Sequence, residues 1–363
     1  MKVLQVFSFF FFLAVFIFSP GIKAQGYPGE EIYEGRIINV ENETKTDPLG
    51  EDYLYQQLIV DITRGVKKGQ SLEIVNDTIS IEAARQYFKG DEIVIMHTVT
   101  VDNEDLYYIT DYVRRGGLKT IFAVFVFMTI LVGGIWGASS IVGMVFSFLI
   151  IFKFVLPFII SGHNAIVVSV IGSSMIIPVT FSLSHGFKTK TWIASIGTII
   201  SLVFTGILAL VAVKITHLSG FGSEEASFVS YQLGDKINMQ GLLLAGIIIS
   251  SLGVLDDITI SQASIVAELK STNKKLKFAE LFTRAMNVGR DHIASLVNTL
   301  VLVYAGASLP LLILFVNHTS TFSDVINIEM IVEEVVRTLV GSMGLILAVP
   351  ITTLIAAYKY RNK

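Results

Sequence analysis

Residues 253–264, "GVLDDITISQAS", set two adjacent carboxylates, Asp256 and Asp257, inside an apolar run. "GLLLAGIIISSL" precedes them, and the chain stays mostly apolar afterwards until Lys270. A bilayer's hydrocarbon core takes roughly 20 residues of helix to cross, and this run is long enough. A charge at that depth costs at least ~2.5 kcal/mol even on the lenient insertion scale. The acids therefore need partners, water or protons.

The rest of the chain has the same character. It holds 363 residues, 52% hydrophobic and only 16% charged, with a mean hydropathy of +0.67. Soluble domains average nearer ~25% charged. The apolar residues gather into runs near 118–136, 139–160, 164–184, 191–215, 240–262, 292–316 and 336–357. This predicts an α-helical polytopic membrane protein with about seven transmembrane helices between 118 and 357. The first two runs are parted only by the glycine-rich "GGIWGASS". The net charge of -3 gives no reason to expect a nucleic-acid partner. With no cysteine, disulfides and thiol chemistry are excluded.

Loop charges set an expected orientation. Lys188 and Lys190 stand in one loop, and Lys270, Lys274, Lys275, Lys277, Arg284 and Arg290 in the long 269–291 stretch. The 358–363 tail is basic as well, whereas the 216–239 and 317–335 loops are acidic. Positive loops belong inside, so the tail is expected to be cytoplasmic and the segment before the first span extracytoplasmic. Arg114, Arg115 and Lys119 dissent from this pattern. Residues 1–24, with Lys2 ahead of an apolar core, read as a signal peptide or signal anchor.

Residues 26–113 differ in kind. Short β-type runs ("YEGRIINV", "YQQLIVDIT", "QSLEIVN", "DEIVIMHTVTV", "LYYITDYV") alternate with turn signals such as "KKGQ" and "KGDE". A small N-terminal extracytoplasmic all-β domain, barrel-like or a sandwich, is expected there. His97 lies in a strand pattern with no second histidine nearby, which reads as an ordinary strand residue.

Gly246, Ser250, Gly253, Asp257, Ser261, Ser264 and Glu268 recur at spacings of three and four, forming a small, polar stripe on one helix. Small residues let another helix approach closely. The next span opens "GRDHIASLVNTLVLVYAGASLPLL" and returns in the opposite direction. Its Arg290, Asp291 and His292 enter near the depth of the acids, with Ser295, Asn298 and Thr299 following on overlapping stripes. Ser169, Gly172, Ser173 and Thr180 add small or polar positions on the third span, and Thr338 and Ser342 on the seventh. Three readings fit. The acids form a proton- or cation-coupling site with Arg290, Asp291, His292 and Asn298; they lock two helices together; or they cap a separate helix at the membrane surface. The basic 269–291 stretch is amphipathic and reads as a link lying on the inner membrane surface.

"GVLDDITISQASIVAEL" and "GRDHIASLVNTLVLVYAGASLPLLILF" resemble the signature of YibE/F-like proteins, multi-pass bacterial membrane proteins often described as predicted permeases. The resemblance covers most of the chain. It implies a bacterial plasma-membrane location and no particular substrate. A second likeness is to the SecD/SecF export proteins and the resistance–nodulation–division permeases, carried by Asp256, Asp257, Arg290 and the Asn298–Thr299 pair. It implies proton-driven work. This chain lacks the large loop that those pumps carry between their first and second spans.

The sequence has no "GxxxxGK[ST]" and no "HExxH", and its six histidines are dispersed. No cofactor, metal or enzymatic nucleophile is expected. The bilayer is the partner that the composition demands; a paired membrane protein or a homo-oligomer is compatible with it. A transporter is the expectation. Its rival is a non-transporting assembly or sensing protein whose β domain binds an extracytoplasmic partner.

Overall fold

The computed structural model describes residues 31–46, 52–77, 86–100, 105–234, 237–310, 312–313 and 322–361. The expected signal segment lies outside the described residues. The chain divides into two compact units, with the boundary between Met128 and Thr129.

The first unit is built on one antiparallel sheet of five strands: β1 Glu31–Thr46, β2 Asp52–Arg64, β3 Ser71–Asp77, β4 Glu92–Val99 and β5 Asp105–Tyr112. Their order is β3-β2-β1-β4-β5. Each strand coincides with an alternating run in the sequence, because a strand turns successive side chains to opposite faces. On β4 that alternation buries Ile93, Ile95 and His97. Ile93 and Ile95 join a core with Tyr33, Ile37, Leu58, Val60, Ile62 and Ile74. Two devices shape the sheet. The β2–β3 turn needs Gly65, at φ 119°, where a side chain would also strike the Tyr33 ring. Gln56 is fully buried and clamps the segment before β4, accepting from Tyr87 N at 2.9 Å and donating to Tyr87 O at 3.0 Å. The sheet curls enough for Lys67, in the β2–β3 turn, to donate to the Tyr107 hydroxyl on β5.

His97 is more than an ordinary strand residue. Its Nε2 lies 2.7 Å from Asp105 Oδ1, and its ring stacks on Tyr107 at 4.7 Å. The hydrogen bond to His97 outweighs burial and holds the Asp105 carboxyl below its ordinary range. Burial and the Glu31 carboxylate push the Tyr33 phenol up to about 12.

The rest of the described chain is helical. Helix α1, Arg115–Ile150, runs through a π turn, Ile151–Val155, into α2, Leu156–Ile160. Then come α3 Ala165–His185, α4 Thr189–Ile215, α5 Glu224–Leu233, α6 Met239–Thr272, α7 Phe278–Ala307, α8 Phe322–Val325 and α9 Glu329–Tyr360. Among the described residues five helical runs are long and apolar enough to cross a membrane: Arg115–Ile160, α3, α4, α6 and α9. The protein is membrane-embedded.

That count differs from the seven spans expected, for two reasons. The runs 118–136 and 139–160 are one helical run broken at Gly134, whose φ of 56° and ψ of -137° are not helical. A Cβ on Gly137 would strike the Thr129 carbonyl, so the axis turns sharply there; in a straight helix residues eight apart stand about 12 Å apart. Of the expected 292–316 span, 292–307 lies in α7, whose first half is charged and which falls outside the five; residues 311 and 314–316 lie outside the described residues.

In the second unit α4, α6 and α9 form the centre, α7 lies on α9 and α6, and α3 on α6 and α4. The second half of α1 meets α3, where Ser140 Oγ and Ser184 Oγ are 3.1 Å apart. Helices in lipid gain little from apolar contact alone, so close approach over small residues matters. A Cβ on Gly197 of α4 would collide with Thr352 of α9, and one on Gly344 of α9 with Thr205 of α4. The stretch 269–291, expected as a surface link, is instead divided between the end of α6 and the start of α7. Its apolar stripe, Leu281 and Ala285, is fully buried against the bundle.

Candidate functional site

Helix α6 begins at the N-cap Asn238, which accepts from Gly241 N at 2.8 Å. It ends where Lys270, only 6% exposed, donates to Leu276 O at 3.0 Å and Arg361 O at 3.3 Å. Both ends are thus fixed, and the helix is continuous between them. Asp256 and Asp257 lie about 26 Å from its start at 1.5 Å per residue, near its midpoint. They do not cap a separate helix, because no break in α6 separates them from the residues before or after.

The two acids point different ways. Asp256 stands on the α6 side that carries Ala245 and Ile249, which pack with Ala165 and Val168 of α3. It is half-buried, and its Oδ1 is buried with no hydrogen-bond partner among the described residues. A local brace positions this turn. Thr259 Oγ1 donates to Asp256 O at 3.2 Å and meets Thr198 Oγ1 of α4 at 2.6 Å.

Asp257 is exposed and lies on the expected stripe with Gly246, Gly253 and Glu268, which are exposed too. Ser250, Ser261 and Ser264 on that stripe are half-buried, and Ser250 Oγ donates to Ile247 O at 3.0 Å. The turn between α3 and α4 reaches this face. Gly186, at φ 77°, ends α3, and Thr191 Oγ1 donates to Gly186 O at 2.8 Å. The turn brings Lys190 Nζ to 3.1 Å from Ser264 Oγ, and puts His185 in electrostatic range of Asp257.

The α7 residues fall elsewhere. Arg290, Asp291, Ser295, Asn298 and Thr299 are exposed. Arg290 donates to Asn287 Oδ1 at 3.4 Å, and Thr299 Oγ1 to Ser295 O at 3.0 Å. His292 is half-buried, with Nδ1 buried and unpartnered. Among the described residues no ion pair or hydrogen bond joins Asp256 or Asp257 to Arg290, Asp291, His292 or Asn298. Helix α7 instead meets α6 through Gln262, whose Nε2 donates to Ala285 O at 2.8 Å.

Sequence reasoning missed His185 and Lys190. Both are legible as residues of a short basic loop between spans, but its charge alone does not tie it to the acids. The bracing pair Thr198–Thr259 carried no sequence signal, since a threonine in an apolar helix most often bonds to its own backbone. Chemically, Asp256 offers a carboxylate oxygen without a protein donor, inside a bundle, next to a second acid with a basic turn beside it. Such a group can take up and release a proton or hold a small cation. Among the described residues no set of three His, Asp or Glu side chains is placed to hold a metal ion.

Comparison with curated proteins and with solved structures gives no match. The family model of the YibE/F-like proteins matches residues 121–362, more than half of the chain and all of the acid-bearing bundle. The chain belongs to the YibE/F-like protein family.

Proposed function

We propose that this protein is a membrane transporter of the bacterial plasma membrane, coupled to protons or a small cation through Asp256 and Asp257. The observation that carries this reading is the unpartnered, buried Oδ1 of Asp256 midway along a membrane helix. An acid retained at such depth without an ion-pair partner is a functional candidate by default, whereas a structural lock needs a partner. Asp257, with His185 and Lys190 nearby, forms the exit of the site towards the basic loops, which the charge distribution assigns to the cytoplasm. The β sheet then lies outside the cell. The sequence likeness to proton-driven export proteins points the same way.

Reconstitution in vesicles containing a pH-sensitive dye tests the reading. Under an imposed potential the wild-type protein acidifies or alkalinises the lumen, and Asp256→Asn abolishes the change while its melting temperature holds. Equal traces with a lowered melting temperature in the variant would assign the acids to structure.

A further inference from the structure

The hydroxyls of the bundle divide into two kinds. On α4, Ser195, Thr198, Ser201 and Thr205 are buried, and each donates to the carbonyl four residues earlier at 2.7–3.0 Å. Ser251 on α6 does the same at 2.7 Å. That is the usual way a helix in lipid satisfies a hydroxyl. Ser169 and Ser173 on α3 do not follow it, nor do Ser342 and Thr352 on α9; the α3 pair is the one that stands on the helix bordering a polar cavity. Ser169 and Ser173 are 0% and 1% exposed, and neither Oγ has a partner among the described residues. Spaced four residues apart, they stand one above the other on one side of α3.

Their position gives this meaning. Directly before Ser169, the start of α3 lines a cavity of about 640 Å³ with the start of α6; His163, Asn164, Asn238 and Gln240 are its polar wall. A second cavity of about 580 Å³ shares Leu210, Gln240 and Leu244 with the first and adds Lys214 and His217. Among the described residues no carboxylate lines either one. From Asn164, α3 runs along α6 through Ser169 and Ser173 to His185, which is in electrostatic range of Asp257. Asp256 lies on the α6 side that faces α3, and its Oδ1 too is unpartnered among the described residues. A cavity, two orphan hydroxyls and an orphan carboxylate oxygen thus follow one another along the pair of helices. Buried polar groups of this kind are normally satisfied by ordered water.

We infer that a water-filled polar path runs along α3 and α6, from the cavity at His163 and Gln240 through Ser169 and Ser173 to Asp256. The species it carries is a proton passed between water molecules, an assignment that rests on the coupling reading of Asp256. The path itself is a separate claim about access. Water bridges each hydroxyl to the next, and Asp256 is where the file ends inside the bundle. Asp257, His185 and Lys190 take over beyond it.

The chain has no cysteine, so single thiols report access cleanly. Ser169→Cys, Ser173→Cys and, as a lipid-facing control between them, Ile171→Cys are made in the full-length protein in vesicles. Ile171 is 47% exposed on the bundle's outside. A small, charged, membrane-impermeant thiosulfonate is attacked at its sulfenyl sulfur only by hydrated thiolates, forming a mixed disulfide and releasing sulfinate, so both cysteine variants should react about tenfold faster than position 171. They should do so from the side on which Gln240→Cys reacts. Labelling no faster than at position 171, or labelling only from the opposite side, overturns the path. Ser173→Ala, smaller than the native residue, gives a second readout: proton flux should fall about tenfold because one bridging hydroxyl is gone. Flux unchanged in Ser173→Ala overturns the role of the hydroxyl. Fast labelling without any wild-type proton flux would uphold the path and refute the coupling reading.

Discussion

A methyl group added at Gly197 should loosen the contact between α4 and α9. An ideal Cβ there strikes Thr352 Oγ1 and lies 3.2 Å from Thr352 Cβ and 3.3 Å from its Cγ2. Thr352 is β-branched on a helix, so its χ1 has little freedom to swing away. Overpacking of this kind costs about 1–3 kcal/mol. The same substitution gains up to about 1 kcal/mol from helix propensity and a less flexible unfolded chain. The net loss for Gly197→Ala is therefore about 1–2 kcal/mol. Thr352→Ala alone breaks no hydrogen bond of its Oγ1, which has no partner among the described residues, and removes only a small packed volume at a cost of about 1 kcal/mol. Combining the two removes the collision. The double variant should then be more stable than the sum of the singles by about 1–2 kcal/mol, within the range of contacting pairs. Unfolding of the full-length protein in mixed micelles, titrated with a denaturing detergent and followed by tryptophan fluorescence, measures all four proteins of the cycle. Additive effects, or a Gly197→Ala protein as stable as the wild type, would refute the close-approach account of the bundle.

Other outcomes follow from the same geometry. Glu34 accepts from Arg64 Nη1 at 3.0 Å and Arg115 Nη1 at 2.8 Å; burial opposes its charge, but the two guanidiniums prevail and hold its carboxyl below the ordinary range. Asp105 is lowered too, chiefly by His97. Groups depressed on folding stabilise above their unfolded value, so this contribution is complete above about pH 4.3 for Glu34 and drains as the pH falls through the folded value. Glu34→Gln should cost about 1–2 kcal/mol at pH 7 and flatten that acid limb, read by thermal melts of the amide infrared signal of the sheet; an acid limb identical to wild type would refute it. Glu329 accepts from Ser219 N, Ser219 Oγ and Gly220 N at 2.6, 2.7 and 2.9 Å. Glu329→Ala should cost about 1–2 kcal/mol and speed proteolysis in the 216–223 loop, and unchanged cleavage would count against that role.

The sheet was legible because alternation is local. Each of the five runs carried its own inward residues, such as Ile93 and Ile95 on β4, and needed no knowledge of its neighbours. The membrane class was legible for the same reason: hydropathy is a property of the run itself. The number of spans was less so, because one glycine with non-helical angles, Gly134, decides how two apolar runs are joined, and the charge on the first half of α7 hides what its second half does. Site partners were the least legible. Antiparallel neighbours at similar depth made Arg290 and Asn298 reasonable companions for Asp256. Which side of α7 faces α6 is decided by Ala285, Gly289 and Gln262, and they turn Arg290 and Asn298 outward. His185 reaches Asp257, and Lys190 reaches Ser264 on the same stripe, through a turn more than sixty residues earlier in the chain, a long-range approach that no periodicity encodes.

The central claim is that Asp256 handles a proton inside the membrane. Its most direct test is proton flux into dye-loaded vesicles under an imposed potential, measured for the wild type, Asp256→Asn and Asp256→Glu at matched protein content and matched melting temperature. The account predicts flux in the wild type, none in Asp256→Asn, and recovery in Asp256→Glu, which keeps an ionisable carboxyl at the same turn of α6. Undiminished flux through Asp256→Asn would contradict it.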